Sequence, residues 1–431
     1  MPFPEDLSRA VVAVCICGLL IPVAWRALRG ELALPPMAGP LFLLAVAAAF
    51  AALRAERMRP AMEGAVALAG LLLLVGHLSR GKWNLGRPAL LGALVVALVG
   101  AWQVVGIWRT DGVFHPLAST VGNAGYAAEI LVPVLFLVVG RIAKDKIRPV
   151  WAGHLAVCVL LTASLWTGTI AAWLAVGLGV LWFNRHDRIR GPLARRTPKV
   201  FYVTAAVVGT LVPLVLSPAP PAPGATPKFA ANAPAPWLPH SARVRLGLWT
   251  AGLEAAGDRV VLGWGLDNAG SALALHRRGW EANLSRGGTP ERPRESRATT
   301  AHNEPLQVLL TTGALGLLAC LWALRRAWPL LLAAQPGEIA ALFGLFMFAC
   351  VRSPLTDNAF AACLFWCLVA RLQPGRLVTG SPARVAGLAV AVLLAVALPR
   401  TVRALGAQLD LASGRPELAR RAVERDPWNF N

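Results

Sequence analysis

Long apolar runs are the feature that most limits what this chain can fold into. They recur along almost the whole length of the 431 residues, of which 56% are hydrophobic and only 15% are charged. Each run is about as long as the ~20-residue helix that crosses a bilayer. Backbone polar groups in lipid have no water to bond, so each segment must satisfy them internally as a helix. The pattern predicts an all-α polytopic membrane protein with about twelve transmembrane helices.

The predicted spans divide the chain into four parts. Residues 1–217 hold spans 1–8, 218–303 form a long loop with short helices, 304–400 hold spans 9–12, and 401–431 form a helical tail. The spans are expected near residues 9–25, 37–53, 61–79, 88–107, 125–141, 150–165, 168–184, 200–217, 304–323, 337–352, 357–371 and 383–399.

Basic residues in short loops predict the orientation of the chain. The segment 184–199 carries six Arg or Lys against one Asp, so the positive-inside rule puts it in the cytoplasm. Counting spans from there puts the long loop 218–303 on the opposite, periplasmic side. The same count leaves the N-terminus outside and puts the basic stretch 54–59 outside, against the rule.

The charge and the cysteines exclude other classes of protein. A net charge of +20 in a soluble chain would indicate nucleic-acid binding. Here the charges lie between spans, where arginine sets topology and meets lipid head groups, so we predict a lipid bilayer and no nucleic acid as partner. The cysteines lie in apolar runs and are expected to be buried hydrophobic residues, forming neither disulfides nor a metal site. They are Cys15, Cys17, Cys158, Cys320, Cys350, Cys363 and Cys367.

The long loop has two halves. Residues 217–239 are rich in Pro and Ala, which predicts an extended strap or a flexible lid. From Ser241 onward the apolar spacing becomes helical. Between residues 218 and 303, ten Arg or Lys stand against six acids. Because the positive-inside rule disfavours arginine on the translocated side, this excess favours an anionic ligand.

His302 stands where the long loop meets the next span. If a helix begins near Ala301, Gly313 lies eleven residues after the histidine, about 20° around the helix axis. The two residues would then share a face on which glycine lets another helix approach closely. An imidazole there can bond a partner or take a proton near neutral pH. The alternative is a histidine that only anchors the span at the interface.

The loop contains two further candidate features. Arg245 and Trp249 share a helix face, and a guanidinium in this setting suits bidentate recognition of phosphate. Arg243 competes for this role, and the alternative is an ordinary surface arginine. The turn GWG (263–265) is expected to direct backbone N–H groups at an anion. A dinucleotide site is excluded, because no βαβ unit surrounds the glycines.

Polar residues also mark an earlier span and the end of the chain. Asn123 is either a simple helix cap or a ligand contact. A glutamate within a span is costly, so Glu129 indicates a polar cavity or an arginine partner. In the tail, Asp426, Pro427 and Asn429 close a pattern that is typical of one tetratricopeptide unit.

These motifs, taken in order, resemble a known family. GNAGY (122–126), RLGLW (245–249), GWG (263–265) and AHNEPLQVLLTTG (301–313) follow one another as in the O-antigen ligase and polymerase superfamily of bacterial envelope proteins. The resemblance in order and topology covers roughly residues 40 to 372. Some members of the superfamily also carry tetratricopeptide tails.

The resemblance implies a membrane glycosyltransferase with a GT-C-like fold and neither metal nor cofactor. Such an enzyme moves a glycan from an undecaprenyl diphosphate carrier to a glycan, a lipid A core or a protein, at the periplasmic face of the bacterial inner membrane. The resemblance implies that His302 is the general base or orients the acceptor hydroxyl, and that Arg245 binds the diphosphate. The remaining candidates for substrate contacts are Arg243, Asn123, Trp249, Asn303, Glu304, Gly313 and Gly265.

One position departs from the family pattern. Members often place an arginine at the start of one span, where TGTIAAWLAV (167–176) has Ile170. A second phosphate contact is then missing or comes from elsewhere, such as Arg243 or an arginine of 277–297. The alternatives are a polymerase or a protein O-oligosaccharyltransferase of the same superfamily and, outside it, a transporter or an envelope scaffold.

Overall fold

The protein is mostly helical in the computed structural model, with helix also at residues 20–28 and 205–211. The predictions for the strap 217–239 and for the tail beyond residue 412 lie outside the described residues. The structure describes residues 17–18, 20–34, 37–56, 58–80, 86–111, 116–117, 123–144, 147, 149–185, 203, 205–211, 240–285, 287–289, 292–294, 298–372 and 377–412.

The helices fall into three groups along the chain. Before the long loop come α1 (Ala38–Leu53), α2 (Met58–Arg80), α3 (Gly86–Asp111), α4 (Ala124–Ile142), α5 (Val150–Trp166) and α6 (Ile170–Arg185). The loop contains α7 (His240–Asp258), α8 (Ala269–His276) and α9 (Gly279–Ser285). After it come α10 (Glu304–Ala333), α11 (Pro336–Val351), α12 (Pro354–Asp357), α13 (Ala359–Leu372) and α14 (Ser381–Ala412).

Short strands form two antiparallel pairs in the described part of the chain. β1 (Glu31–Ala33) pairs with β4 (Leu377–Thr379), with Glu31 opposite Thr379. β2 (Gly287–Thr289) pairs with β3 (Arg292–Arg294) as a hairpin within the long loop.

The apolar helices have the properties expected in a membrane. Among the described residues, α3, α4 and α10 each contain a stretch long and apolar enough to cross a bilayer, and several shorter apolar helices accompany them. α3 exposes Trp102 and Leu98 outward, at 78% and 60%, as a lipid-facing helix does. The helices are consistent with the predicted all-α membrane protein, whereas the number of twelve spans stays a prediction.

Helix α4 lies at the centre of the bundle. Nearly all of its residues are buried, because α11, α5 and α3 pack around it. Gly140 of α4 meets Gly337 of α11 so closely that a Cβ on Gly140 would lie 2.7 Å from the Gly337 Cα. This packing carries Glu129, which has no exposed surface, into the protein interior.

Two contacts mark opposite ends of the bundle. At one end β1 and β4 pair, before α1 begins and after α13 ends. At the other end of α1, Arg259 Nη1 donates to the Arg54 carbonyl at 2.9 Å, and the Arg259 guanidinium stacks on Trp264 at 4.1 Å. The long loop therefore lies at the end where α1 meets α2. This agrees with the span count, which put residues 54–59 on the same side as the loop.

The last helix is longer than the sequence indicates. A span at 383–399 with a separate tail from residue 401 is expected, whereas α14 continues through Pro399 to Ala412. Proline inside a helix removes one backbone hydrogen bond and bends the helix without having to end it.

Candidate active site

The site is built around the N-terminus of α10. Asn303 caps this helix, since its Oδ1 accepts from Leu306 N at 2.9 Å. The Asn303 Nδ2 donates to the Cys350 carbonyl at 2.8 Å and so joins α10 to the end of α11. Because the helix begins at Glu304, His302 lies just before it, with φ 50°. The expected helix start near Ala301 is therefore wrong, and His302 does not lie on a helical face.

The backbone on both sides of His302 is held in place. Ala301 N donates to Gln307 Oε1 at 2.9 Å, and Gln307 N donates to the Asn303 carbonyl at 2.8 Å. A left-handed φ is uncommon for a residue with a side chain and persists where neighbouring contacts enforce it. These bonds therefore fix the direction in which the partly buried imidazole leaves the backbone.

Gly313 interrupts α10 and does not belong to the expected face. It has φ 66° and ψ −169° inside the helix. A Cβ there would overlap the Val261 carbonyl, and Ala314 N donates to the Val260 carbonyl at 2.7 Å. The residue thus admits a loop backbone, where the sequence led us to expect a neighbouring helix.

The GWG turn fills this break in the helix. Trp264 N donates to the Leu310 carbonyl at 2.9 Å, and Gly265 N donates to the Thr311 carbonyl at 2.8 Å. Gly263 N donates to the Arg259 carbonyl at 2.8 Å. The three N–H groups are therefore bonded within the protein. The expectation that they face an anion is wrong, because two of them bond carbonyls that the break in α10 leaves without a helical partner and the third bonds Arg259.

Helix α7 presents Arg245 and Arg243 on different faces. Gly252 packs on α10, where a Cβ would lie 3.0 Å from Leu306 Cδ2. Arg245 is seven residues earlier, about 20° from Gly252 around the axis. Gly247 packs instead on α9, against Glu281 and Trp280, and Arg243 lies one turn before it. Arg245 therefore lies on the α10 side of the helix and Arg243 on the α9 side.

Two side chains near Arg245, those of Arg243 and Trp249, each have a nitrogen without a hydrogen-bond partner among the described residues. Arg243 is 8% exposed, and its Nε has no hydrogen-bond partner among the described residues. Trp249, one turn after Arg245, is half-buried, and its Nε1 is likewise without a partner in that part of the chain. Of the arginines of 277–297 proposed as alternatives, the two whose side chains the structure describes are engaged by acids: Arg277 forms two bonds to Glu281, and Arg278 is paired with Glu254.

Arg352 is a site residue that the sequence analysis missed. It follows α11, and its Nε donates to Glu129 Oε1 at 2.6 Å. The guanidinium stacks on Tyr126 at 5.0 Å. The other Glu129 oxygen accepts from Asn358 Nδ2 at 2.9 Å. Glu129 thus has the arginine partner that its place in a span predicts.

A sequence signal for Arg352 existed. It lies at the end of a predicted span that faces the same side as the long loop, where the positive-inside rule disfavours arginine. The partner itself was not predictable by local spacing, because Arg352 and Glu129 are 223 residues apart.

Two predicted ligand contacts have structural roles here. Asn123 caps α4, with its Oδ1 accepting from Gly125 N at 2.8 Å. Glu304 is buried, and its Oε1 accepts from Thr356 Oγ1 at 3.0 Å. Ile170, where the family arginine is expected, is the first residue of α6 and is 66% exposed.

Burial and nearby charges together determine the protonation state of His302. Burial, followed by the positive charges of Arg352 and Arg245, lowers the pKa of His302 to about 4. Burial and the Arg352 charge also hold the pKa of Arg245 below its ordinary value. Like charges near a base favour its neutral form. At neutral pH the imidazole is therefore uncharged, so it can accept a proton in a region with two guanidinium groups.

The fold and this site together define a polytopic helical membrane protein with a histidine and arginines at one end of the bundle. Residues 124–321 match the family model described as O-antigen ligase. This match supports the resemblance of the chain to the O-antigen ligase and polymerase superfamily. No curated protein matches the chain. The matched residues include Glu129, Arg245, His302 and Gly313 but not Arg352.

Proposed function

We propose that this protein is an O-antigen ligase-like glycosyltransferase that uses an undecaprenyl diphosphate-linked glycan as donor. It transfers the glycan to an acceptor hydroxyl at the periplasmic face of the bacterial inner membrane. The observation that carries the proposal is that a largely buried His302 lies close enough to Arg352 and Arg245 for burial and their charges to lower its pKa. The family match supports the same class of reaction.

The chemistry requires a base and a cation on opposite sides of one carbon. The acceptor oxygen attacks the anomeric carbon of the donor, the bond from that carbon to the diphosphate oxygen breaks, and undecaprenyl diphosphate leaves. His302 takes the proton of the attacking hydroxyl. Arg245 stabilises the negative charge that develops on the diphosphate, a role that a fixed guanidinium fulfils without a metal ion.

The low pKa of His302 has a function in this scheme. Without a ligand, burial and the two nearby cations lower the pKa of the imidazole, so it is neutral and ready to accept a proton. A bound diphosphate brings negative charge next to those cations and offsets their effect. The pKa of His302 then rises when a base is needed, because a nearby anion favours the charged imidazolium.

The proposed function is tested by disrupting the gene and analysing the membrane lipids. We expect glycan linked to undecaprenyl diphosphate to accumulate, and wild-type protein to restore its consumption. The product then separates the alternatives: glycan on lipid A core indicates a ligase, longer lipid-linked glycan a polymerase, and glycosylated protein a protein O-oligosaccharyltransferase. Normal lipid-linked glycan levels in the disrupted strain would contradict the proposal.

A further inference from the structure

We infer that Arg352 is a second arginine that binds the donor diphosphate, together with Arg245, and that it supplies the contact missing at Ile170. This inference rests on the proposed function, because it names a further ligand of the same substrate. It concerns a residue outside the stretch that matches the O-antigen ligase family.

The hydrogen bonds of Arg352 leave most of its donors available. An arginine has five N–H donors, and the Nε–H of Arg352 is the one bonded to Glu129. Among the residues that the structure describes, Nη1 and Nη2 donate to no protein acceptor. The Arg352 side chain is 12% exposed, so these two groups sit in a largely enclosed place. Two adjacent amino groups of a planar guanidinium match the spacing of phosphate oxygens.

Neighbouring residues hold the guanidinium in place. A Cβ at position 125 would overlap the Arg352 guanidinium, so Gly125 gives it the room it occupies. Tyr126 lies against its face, and Asn358 bonds both the Tyr126 carbonyl and Glu129. A binding group that is held in advance loses little conformational entropy when its ligand arrives.

A hydrogen bond joins the segment that contains His302 to the end of α11, just before Arg352. Asn303, the next residue after His302, bonds the carbonyl of Cys350, two residues before Arg352. Burial lowers the pKa of His302 and of Arg245, and the nearby Arg352 charge lowers each of them further. Two guanidinium groups on either side of a site repel each other. A multiply charged anion bound between them relieves that repulsion.

The other loop arginines whose side chains the structure describes, apart from Arg245, are poorer candidates. Arg277 and Arg278 are paired with Glu281 and Glu254, and Arg259 is bonded to the Arg54 carbonyl. Arg243 lies on the α9 side of α7, away from the face that packs on α10. Among these arginines, Arg352 is therefore the one whose position and available donors fit a second phosphate contact.

The ion pair with Glu129 determines what kind of contact Arg352 makes. A buried arginine without a counter-ion is costly in a membrane protein, and Glu129 offsets that cost. Arg352 therefore offers a diphosphate directed N–H donors as well as its positive charge. A lysine, which has no planar fork, should replace it poorly.

The test is to measure binding of undecaprenyl diphosphate and of undecaprenyl monophosphate to the full chain in lipid nanodiscs. The variants are Arg352→Gln, Arg352→Lys and the double variant Glu129→Gln/Arg352→Gln, which leaves no unpaired buried charge. Arg371→Gln is the matched control, because Arg371 of α13 pairs with Glu338 of α11 through the same Nε–Oε1 contact, at 2.7 Å. Glu338 lies at the end of α11 opposite to Arg352.

We expect affinity for the diphosphate to fall about tenfold to a hundredfold in Arg352→Gln and in the double variant, the loss typical of a hydrogen bond to a charged group. Arg352→Lys should recover only part of this loss. Affinity for the monophosphate should change much less, and Arg371→Gln should bind both lipids like wild type.

Wild-type affinity for the diphosphate in the double variant would overturn the inference, since Arg352 would then only neutralise Glu129. An equal loss in Arg371→Gln would overturn it as well, because the effect would not be specific to this site. If wild-type protein binds the diphosphate and the Arg352 variants bind it equally well, the inference fails and the proposed function stands. If wild-type protein does not bind it, both fail.

Discussion

Asn303 joins the two helices on which the site depends: its Nδ2 donates to the Cys350 carbonyl at 2.8 Å while its Oδ1 caps α10. His302 immediately precedes Asn303, and Arg352 follows Cys350 by two residues. One side chain therefore holds the backbone segment of the proposed base against the backbone segment of the inferred phosphate-binding arginine.

Replacing Asn303 by Asp should separate its two roles. An aspartate still caps a helix but cannot donate to the Cys350 carbonyl. We expect the free energy of unfolding to fall by about 1–2 kcal/mol and the transfer rate to fall about tenfold or more, because small displacements of catalytic groups are costly. Thermal unfolding in detergent and initial transfer rates measure the two effects.

Asn123→Asp is the control, since the Asn123 side chain caps α4 through Gly125 N. An equal loss of rate in both variants would contradict the bridging role.

Gly313→Ala should destabilise the protein strongly. A methyl group at position 313 would overlap the Val261 carbonyl, and the residue has φ 66°. We expect a loss of about 2 kcal/mol or more, from strain and from displacement of the inserted turn. Gly106→Ala in α3 is the matched control, because nothing lies within 4 Å of its Cβ position, and alanine there should be neutral or slightly stabilising. The melting temperatures of the two variants would decide the point.

Arg245→Gln should reduce kcat/KM for the donor about tenfold or more, as loss of a charge-assisted contact does. Arg243→Gln should reduce it much less, because Arg243 lies on the α9 side of α7. Kinetics with a lipid-linked donor at fixed acceptor concentration measure both. A larger effect of Arg243→Gln would mean that the face assigned to the phosphate is the wrong one.

The pH dependence of kcat/KM should reflect the lowered pKa of His302. The folded pKa of about 4 lies below the ordinary value of 6.5. In the folded protein the imidazole stays neutral until the pH approaches 4. The stability that goes with this neutral form is fully present above pH 6.5 and is lost as the pH falls through 4. Activity limited by His302 should stay constant down to about pH 5.

In Arg352→Gln a positive charge is removed, so the pKa of His302 should rise and the acidic limb should move to higher pH. An unshifted limb would contradict the electrostatic account.

Much of the fold class and part of the site follow from the sequence. Apolar run length is a local property, so the membrane helices were predictable, and Glu129 implied an arginine partner because an isolated acid in a span is costly. The true start of α10 was also predictable, since Asn303 followed by a glutamate and a proline is a typical helix start. The break at Gly313 and the Arg352–Glu129 pair were not, because each depends on segments far apart in the chain.

The most direct test of the account is the rate at which purified protein in proteoliposomes releases undecaprenyl diphosphate from a lipid-linked glycan in the presence of acceptor. We predict that His302→Ala lowers this rate at least about a hundredfold while leaving donor binding and folding intact. His276→Ala, which changes a loop histidine bonded to Asp258 and to the Ala272 carbonyl, should keep a rate near that of wild type. A well-folded His302→Ala protein that releases undecaprenyl diphosphate at the wild-type rate would contradict the central claim.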